Sequence, residues 1–185
     1  RKLIVIIVRN FLKKSAYIAA LMLVLTVVIS CEKDFTDIGS SIINNTKFDT
    51  TNFKTKFACE LKDFDPKLRL DRKTIKTTDT YTQYGLYVSD EAIEDSGLDL
   101  GKINPFDIGV IWGTGQAGMM TFEQEMKSYI EGDGTPRFNP YFIPKILSNM
   151  AAGLISMRHK LMGMSYTAVS ACATANTAFM DAYHL

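Results

Sequence analysis

The segment Ile108-Gly109-Val110-Ile111-Trp112 is a short, nearly unbroken apolar run. A run of this length and composition fits a strand that is buried on both faces, as in the sheets of α/β proteins. A glycine-rich turn follows it, and residues 121–131 then have the pattern of a helix. The run therefore predicts a buried strand that leads through a turn into a helix.

Other predicted helices and strands alternate with this strand along the chain. One apolar set with helical spacing is Tyr81, Tyr84, Val88 and Ala92. Gly97 is the expected stop of that helix. A second such set is Ile146, Met150, Leu154, Met157 and Leu161. Residues 166–170 are predicted to form a strand and residues 173–185 a helix. The alternation predicts an α/β fold.

Composition and charge exclude some classes of function. The 185 residues are 46% hydrophobic and 22% charged, as in ordinary globular proteins. Lys and Arg number 21 against 20 Asp and Glu, so the excess of positive charge that binds phosphates is missing and no nucleic acid is expected. Three cysteines without regular spacing predict neither a disulfide framework nor a zinc site, and we expect no cofactor.

The N-terminal residues have the order of an export signal. Residues 1–14 contain five basic residues, and residues 15–30 carry no charge. The apolar stretch of residues 15–29 has signal-peptide proportions and is short for a membrane-spanning helix, which needs about 20 residues. An upstream apolar run, residues 3–8, leaves open a membrane anchor with a broken first segment.

The end of this apolar stretch distinguishes the two alternatives. Val28-Ile29-Ser30-Cys31 resembles a bacterial lipobox, in which a small residue precedes a lipidated cysteine. The stretch from Cys31 to Asn45 is similar to the start of an uncharacterised family of bacterial surface lipoproteins, and this resemblance covers roughly residues 1–50. We therefore predict lipidation at Cys31 and a membrane-anchored envelope location. The other reading is a plain anchor helix that ends at an incidental cysteine.

Gly113-Thr-Gly115-Gln-Ala-Gly118 has the glycine spacing of a dinucleotide-binding turn. That motif also needs an acidic residue at the end of a second strand, about 20 residues further on. Pro136-Arg-Phe-Asn-Pro140 occupies that place and is a loop. We therefore interpret the glycines as a turn that lets a strand and a helix pack closely.

Cys172 lies between a predicted strand and a predicted helix. A thiol at a helix N-terminus meets unpaired backbone N–H groups and the positive end of the helix dipole. Both favour the thiolate, which is the nucleophile, and a backbone N–H can stabilise an oxyanion. From spacing alone, a small buried apolar cysteine is the alternative, and Cys59 is expected to be such a core residue.

Several long collinear stretches of the chain resemble β-ketoacyl-acyl-carrier-protein synthase II, the elongating condensing enzymes of bacterial fatty-acid synthesis. The stretches, between about residues 47 and 185, are Phe48-Asp-Thr-Thr-Asn-Phe-Lys-Thr-Lys-Phe-Ala58, Asp71-Arg-Lys73, Thr82-Gln-Tyr84, Glu91-Ala-Ile-Glu-Asp-Ser-Gly97, Gly109-Val-Ile-Trp-Gly-Thr-Gly115, Pro136-Arg-Phe-Asn-Pro-Tyr-Phe-Ile-Pro144, Asn149-Met-Ala-Ala-Gly153 and Val169-Ser-Ala-Cys-Ala-Thr174. The resemblance implies a thiolase-like α/β fold and, in the full-length family, a homodimer.

The resemblance also implies the roles of particular residues. Cys172 is the nucleophile that takes an acyl group from acyl carrier protein, and the carbanion of decarboxylated malonyl carrier protein then attacks this thioester. The family stabilises the decarboxylation with two histidines and a nearby lysine from the second half of its fold. His159 and His184 do not match those motifs and are expected at the surface or at helix ends. Gln116 stands where the family has an aliphatic residue at the acyl pocket, and an amide there is costly unless it is paired.

The two resemblances divide the chain into a leader (residues 1–30), a linker and junction (31–50) and a partial synthase domain (51–185). They conflict, because acyl carrier protein is cytoplasmic whereas a lipobox directs export. Residues 46–50 suit either family, so the leading hypothesis is a chimera of a lipoprotein leader and an internal synthase fragment, inactive alone. A non-catalytic envelope lipoprotein and a misassembled gene product are the alternatives.

Overall fold

A computed structural model of the chain describes residues 4–8, 42–44, 49–59, 61 and 63–185. The chain forms two compact units, residues 12–65 and residues 1–11 together with 66–185. Cys31 and the apolar stretch of the predicted leader lie outside the described residues. Among the helices that are described, none has the length and apolar character needed to cross a membrane.

The elements of the described residues are short and alternate along the larger unit. The strands are β1 (Ile4–Val8), β2 (Ile42–Asn44), β3 (Phe57–Cys59), β4 (Ile108–Gly113) and β5 (Ser165–Ala168). The helices are α1 (Arg72–Thr77), α2 (Thr80–Ser96), α3 (Met119–Ile130), α4 (Phe142–Ile146), α5 (Met150–His159) and α6 (Thr174–His184). In the smaller unit, β2 and β3 pair antiparallel, with Ile42 opposite Cys59.

The sheet of the larger unit has the strand order β1-β4-β5. β4 pairs in parallel with β5, so that Gly113 lies opposite Ala168. β1 pairs antiparallel with β4, with Ile4 opposite Trp112. Residues 4–8, which the sequence analysis includes in the leader as an upstream apolar run, form a strand of this sheet. Five consecutive β-branched residues explain this strand, because such side chains favour extended backbone.

Helices cover both faces of β4, which confirms the predicted buried strand and the α/β fold. On one face, Val110 and Trp112 pack in a core with Leu86 of α2 and Ile155 of α5. On the other face, Ile111 packs against two alanines, Ala168 of β5 and Ala178 of α6. β4 is therefore packed between α2 and α5 on one face and α6 on the other.

Helix α2 has a side-chain cap at its start and ends at the glycine predicted for it. The Asp79 carboxylate accepts a hydrogen bond from the Tyr81 N–H at 2.9 Å, which caps the first turn. Gly97 ends the helix in the left-handed conformation, with φ of 64°, as predicted. Of the predicted apolar set, Tyr81 is buried in the core, whereas Val88 is exposed and the polar Ser89 is fully buried instead.

Close approach of the helices to β4 explains which faces are buried. A Cβ on Gly85 of α2 would lie 2.9 Å from the Trp112 ring, so this helix contacts the sheet at its smallest residue. The second predicted apolar set does not share one helix, because Ile146 ends α4 and Leu161 follows α5. Within α5, Ala151 and Ala152 are buried, whereas the predicted Met157 is exposed. The indole N–H of Trp112 is buried and has no acceptor among the described residues.

Candidate active site

Cys172 lies at the junction predicted for it. Strand β5 ends at Ala168, a single 3₁₀ turn spans Ala171–Ala173, and helix α6 begins at Thr174. The Cys172 thiol is free and exposed, so the alternative of a buried apolar cysteine is wrong. A thiol on a tight strand-to-helix turn is presented to solvent and to any substrate that approaches the end of the strand. Its nucleophilic role stays a prediction.

The turn around Cys172 has an unusual backbone that one threonine supports. Ala171 has φ of 48°, a left-handed conformation that costs an L-residue roughly 1–2 kcal/mol. The Thr174 hydroxyl donates to the Ala171 carbonyl at 2.6 Å and accepts the Ser170 N–H at 2.9 Å. No described group accepts a hydrogen bond from the Cys172 N–H. This N–H is therefore available to an oxyanion formed beside the thiol.

The glycine-rich turn after β4 supports the nucleophile turn from the other side. A Cβ on Gly113 would lie 3.0 Å from the Thr174 carbonyl oxygen, and a Cβ on Gly115 would lie 3.1 Å from the Ala171 carbonyl oxygen. A Cβ on Gly118 would lie 2.5 Å from the Lys145 carbonyl oxygen. Backbone carbonyl oxygens occupy the space beside these glycines, so no room is left there for a phosphate. The interpretation as a close-packing turn is confirmed.

An open groove of about 530 Å³ adjoins this turn. Its apolar wall consists of Ala117, Met119, Phe122, Ile146, Leu147 and Val169. Gln116 and Ser148 are its polar lining residues besides the backbone of Gly115. Cys172 does not line the groove, which adjoins its turn through Gly115 and Val169. Gln116 therefore lines an apolar groove, whereas its place in an acyl pocket stays a prediction.

His159 belongs to a buried polar cluster between two helices. It ends α5, and its Nε2 lies 3.1 Å from Oδ1 of Asp90 in α2. Arg158 binds both oxygens of the same carboxylate at 2.8 Å. Burial lowers the pKa of His159, and the Asp90 charge opposes this shift only in part. The histidine is therefore at a helix end, as expected, but it is half-buried rather than on the surface.

This cluster does not have the geometry of a catalytic triad. The Ser89 hydroxyl lies 3.5 Å from Nε2 of His159, the same nitrogen that faces Asp90. A triad instead uses the two ring nitrogens for different partners. The Ser89 hydroxyl also donates to the Leu86 carbonyl at 2.8 Å. His184 is exposed at the end of α6 with its ring edge against Tyr183, as expected.

The sequence analysis missed two parts of this site. Thr174 supports the nucleophile turn, and its position at the start of a predicted helix was the available signal. Ser148 joins the groove from a distant part of the chain, which no local pattern indicates. Among the residues that the structure describes, no cluster of His, Cys, Asp and Glu is placed to hold a metal ion.

Comparison with known families gives a direct match. Residues 35–185 match the family model of the N-terminal domain of β-ketoacyl synthases. The match begins inside residues 31–50, which the sequence analysis assigns to a linker and junction. The predicted domain boundaries themselves stay a prediction.

Curated relatives carry the same family name. The chain is 38% identical over 129 residues to 3-oxoacyl-acyl-carrier-protein synthase 2 of Coxiella burnetii, covering 70% of this chain and 31% of that protein. It is 37% identical over 135 residues to the synthase of the same name from Vibrio cholerae, covering 73% of this chain and 32% of that protein. The chain thus spans about a third of the length of these relatives.

Solved structures share the fold. One similar structure is a complex of a type II PKS acyl-carrier protein with its ketosynthase. The match covers 67% of this chain and 35% of the solved chain, with a TM-score of 0.62 and 23% sequence identity. Another is a β-ketoacyl synthase from Burkholderia phymatum, where the match covers 78% of this chain and 36% of the solved chain, with a TM-score of 0.59 and 19% sequence identity. These matches confirm a partial thiolase-like fold, and with the family match they show that the chain belongs to the β-ketoacyl synthases through their N-terminal domain.

Proposed function

We propose that this chain carries the acyl-accepting part of a 3-oxoacyl-acyl-carrier-protein synthase, with Cys172 as the acyl acceptor. The observation that carries the proposal is the turn at Ala171–Ala173. It presents an exposed thiol and an uncommitted backbone N–H beside an apolar groove. Relatives with the name of this synthase are 37% and 38% identical to the chain, which supports the assignment of the reaction class.

The proposed step is a transfer between two thiols. The Cys172 thiolate attacks the carbonyl carbon of an acyl thioester on the carrier protein. The Cys172 N–H stabilises the resulting oxyanion. When the carbonyl re-forms, the bond from carbon to the carrier sulfur breaks, and the carrier leaves as a thiolate that takes up a proton. The acyl group is then a thioester of Cys172, with its chain in the groove.

Neither histidine of the described residues lies at the Cys172 turn. In the family, malonyl carrier protein loses carbon dioxide with the help of two histidines and a lysine, and its carbanion attacks the acyl thioester. His159 is bound to Asp90, and His184 is at the far end of α6 from Cys172. We therefore propose neither histidine for the condensation step and assign to the described residues the acyl-accepting step at Cys172.

The partners follow from the same reaction. One solved ketosynthase is bound to its acyl-carrier protein, which supports acyl carrier protein, loaded with acyl or malonyl groups, as the partner. A homodimer is proposed for the full-length protein. In the described sheet, β5 has a neighbour on one side only, so its other edge is open to a further strand.

The test is acylation of the purified chain by acyl carrier protein that carries a saturated acyl group. Intact-mass measurement should show one added acyl group that hydroxylamine removes, as expected for a thioester. The Cys172→Ala variant should show none, while Cys31→Ala, which removes a different thiol, should retain it. An adduct that persists without Cys172, or no adduct on the wild-type chain, contradicts the proposal.

A lipoprotein is the second candidate, favoured by the order of basic residues, apolar residues and Ser30-Cys31. We propose membrane anchoring of the exported product through lipid on Cys31. Cell fractionation should place the wild-type chain in the envelope and Cys31→Ala in the soluble fraction.

Single long DNA reads across codons 44–50 test the chimera. Leader and synthase segments on separate loci would establish misassembly, and one contiguous reading frame would exclude it.

A further inference from the structure

The two sides of the groove come from separate segments of the chain. One side is the first turn of α3, which contributes Met119 and Phe122. The other is the end of α4 and its connection to α5, residues 146–148. All of α3 is described, and none of its residues is buried. Its Phe122 ring lies 6.0 Å from the Phe142 ring of α4. One ring contact at the surface leaves the separation of the two sides to other interactions.

The first turn of α2 binds both sides of the groove. The buried Asp79 carboxylate accepts a hydrogen bond from the Thr121 hydroxyl of α3 at 2.5 Å. Its other oxygen accepts the Tyr81 N–H at 2.9 Å. The Tyr81 side chain is also buried, and its hydroxyl donates to the Leu147 carbonyl. Two residues of one capped helical turn thus hold α3 and the connection from α4 to α5.

The second side of the groove is also joined to the strand before the nucleophile turn. The Thr167 hydroxyl of β5 donates to the Ser148 carbonyl at 3.3 Å. Val169, which follows β5, lines the groove, and Cys172 does not. The first turn of α2 therefore acts on the sides of the groove and not on the thiol.

A hydrogen bond to a carboxylate is stronger than one between neutral groups, so the Asp79–Thr121 hydrogen bond opposes a displacement of α3. None of Asp79, Tyr81 and Thr121 lines the groove, so their effect on a bound chain is indirect. We propose that Asp79 and Tyr81 are positioning residues, which fix the separation of the two sides of the groove and so set its affinity for an acyl chain. This inference rests on the proposed function, because it takes the groove as the place of the acyl chain.

Two substitutions remove these hydrogen bonds and leave the groove lining unchanged. Thr121→Val deletes the hydroxyl that reaches Asp79, and Tyr81→Phe deletes the hydroxyl that reaches Leu147. Thr121→Ser retains the hydroxyl and is the rescue variant. Ser96→Ala is the matched control, because it removes a hydroxyl with two hydrogen bonds from the last residue of α2.

The experiment measures acylation of the complete chain by dodecanoyl-coenzyme A and by acetyl-coenzyme A, followed by intact mass. In Thr121→Val and Tyr81→Phe, the half-saturating concentration of the dodecanoyl probe should rise about three- to fivefold, which is part of what one hydrogen bond contributes. The maximal rate should change by less than about twofold. The acetyl probe should be unaffected, because its acyl group is too short to extend along the groove. Thr121→Ser and Ser96→Ala should match the wild-type chain.

The outcomes separate this inference from the proposed function. Equal half-saturating concentrations in all variants, the same rise for both probes, or the same rise in Ser96→Ala would overturn the positioning role and leave acyl transfer intact. Acylation by neither probe overturns the proposed function. Calorimetry of dodecanoyl-coenzyme A with Cys172→Ala then tests the positioning role without a reaction, since adding Thr121→Val should weaken binding about three- to fivefold. Equal affinities, or no binding, would overturn the inference.

Discussion

The Thr174 hydroxyl donates to the Ala171 carbonyl at 2.6 Å and so closes the turn that presents Cys172. It also accepts the Ser170 N–H, so one buried hydroxyl satisfies two backbone groups of a strained turn. The Thr174 methyl group lies against Gly113 of β4. A single side chain thereby joins the nucleophile turn to the central strand.

Removing this hydroxyl should destabilise the turn. Thr174→Val keeps the shape and the methyl contact but leaves the Ser170 N–H unpaired, which we expect to lower the unfolding free energy by about 1–2 kcal/mol. Thr174→Ser keeps the hydroxyl and should lose less. Urea denaturation measures the stability, and alkylation of Cys172 by iodoacetamide reports the exposure of the thiol. Equal losses in both variants would show that the methyl contact, rather than the hydroxyl, supports the turn.

The contact between Gly115 and the nucleophile turn predicts a functional effect with little loss of stability. Gly115→Ala places a Cβ 3.1 Å from the Ala171 carbonyl oxygen, so the turn must shift by a few tenths of an ångström. We expect slower acylation of Cys172. Gly153→Ala in α5 is the matched control, because a Cβ there meets no atom within 4 Å. It should raise helix stability by about 0.5–1 kcal/mol without changing the acylation rate.

The Arg158–Asp90 pair is expected to hold α5 against α2. Arg158→Met leaves a carboxylate that is only 10% exposed without its two charged hydrogen bonds, which should cost about 2–3 kcal/mol. Arg158→Lys should cost less because it retains the charge, although it still loses stability since Lys cannot bind both oxygens in the same way. Lys127→Met removes an exposed helical pair and should change the stability by less than about 0.5 kcal/mol. Similar losses at Arg158 and Lys127 would contradict this account.

His159 should make the fold sensitive to mild acid. Burial lowers its pKa below the usual value of 6.5, so the unfolded chain binds a proton more readily than the folded chain. The contribution of this residue to stability is then complete above pH 6.5 and falls as the pH drops from 6.5 through the lower folded pKa. Urea denaturation at a series of pH values measures it. In His159→Gln this acid-dependent part should disappear, and an unchanged pH profile would rule out His159 as its source.

Local sequence patterns predicted the parts of the site that lie close together in the chain. The apolar run of residues 108–112 predicted the buried strand, and Gly97 predicted the end of α2. The position of Cys172 between a strand and a helix followed from its flanking residues. These predictions held because each depends on the backbone preferences and burial of consecutive residues.

The buried helix faces could not be predicted in the same way. Periodicity selected the large side chains Val88 and Met157, which are exposed. The core that contains Val110 and Trp112 of β4 instead includes Ala151 and Ala152, and Gly85 lies close to the Trp112 ring. Close packing of a helix on a sheet requires small residues at the contact. A pattern based on hydrophobicity cannot identify them, because glycine and alanine also occur in many exposed positions.

The sequence by itself determined that the chain is an α/β protein, that Cys172 follows a strand and precedes a helix, and that the glycine turn after Trp112 is a close-packing device. Only the tertiary structure decided that Thr174 supports the nucleophile turn, that Gln116 meets Ser148 in one groove, and that His159 is bound to Asp90. These contacts join residues whose positions depend on how the helices pack on the sheet, and a hydrogen bond between distant segments leaves no periodic signal in the chain.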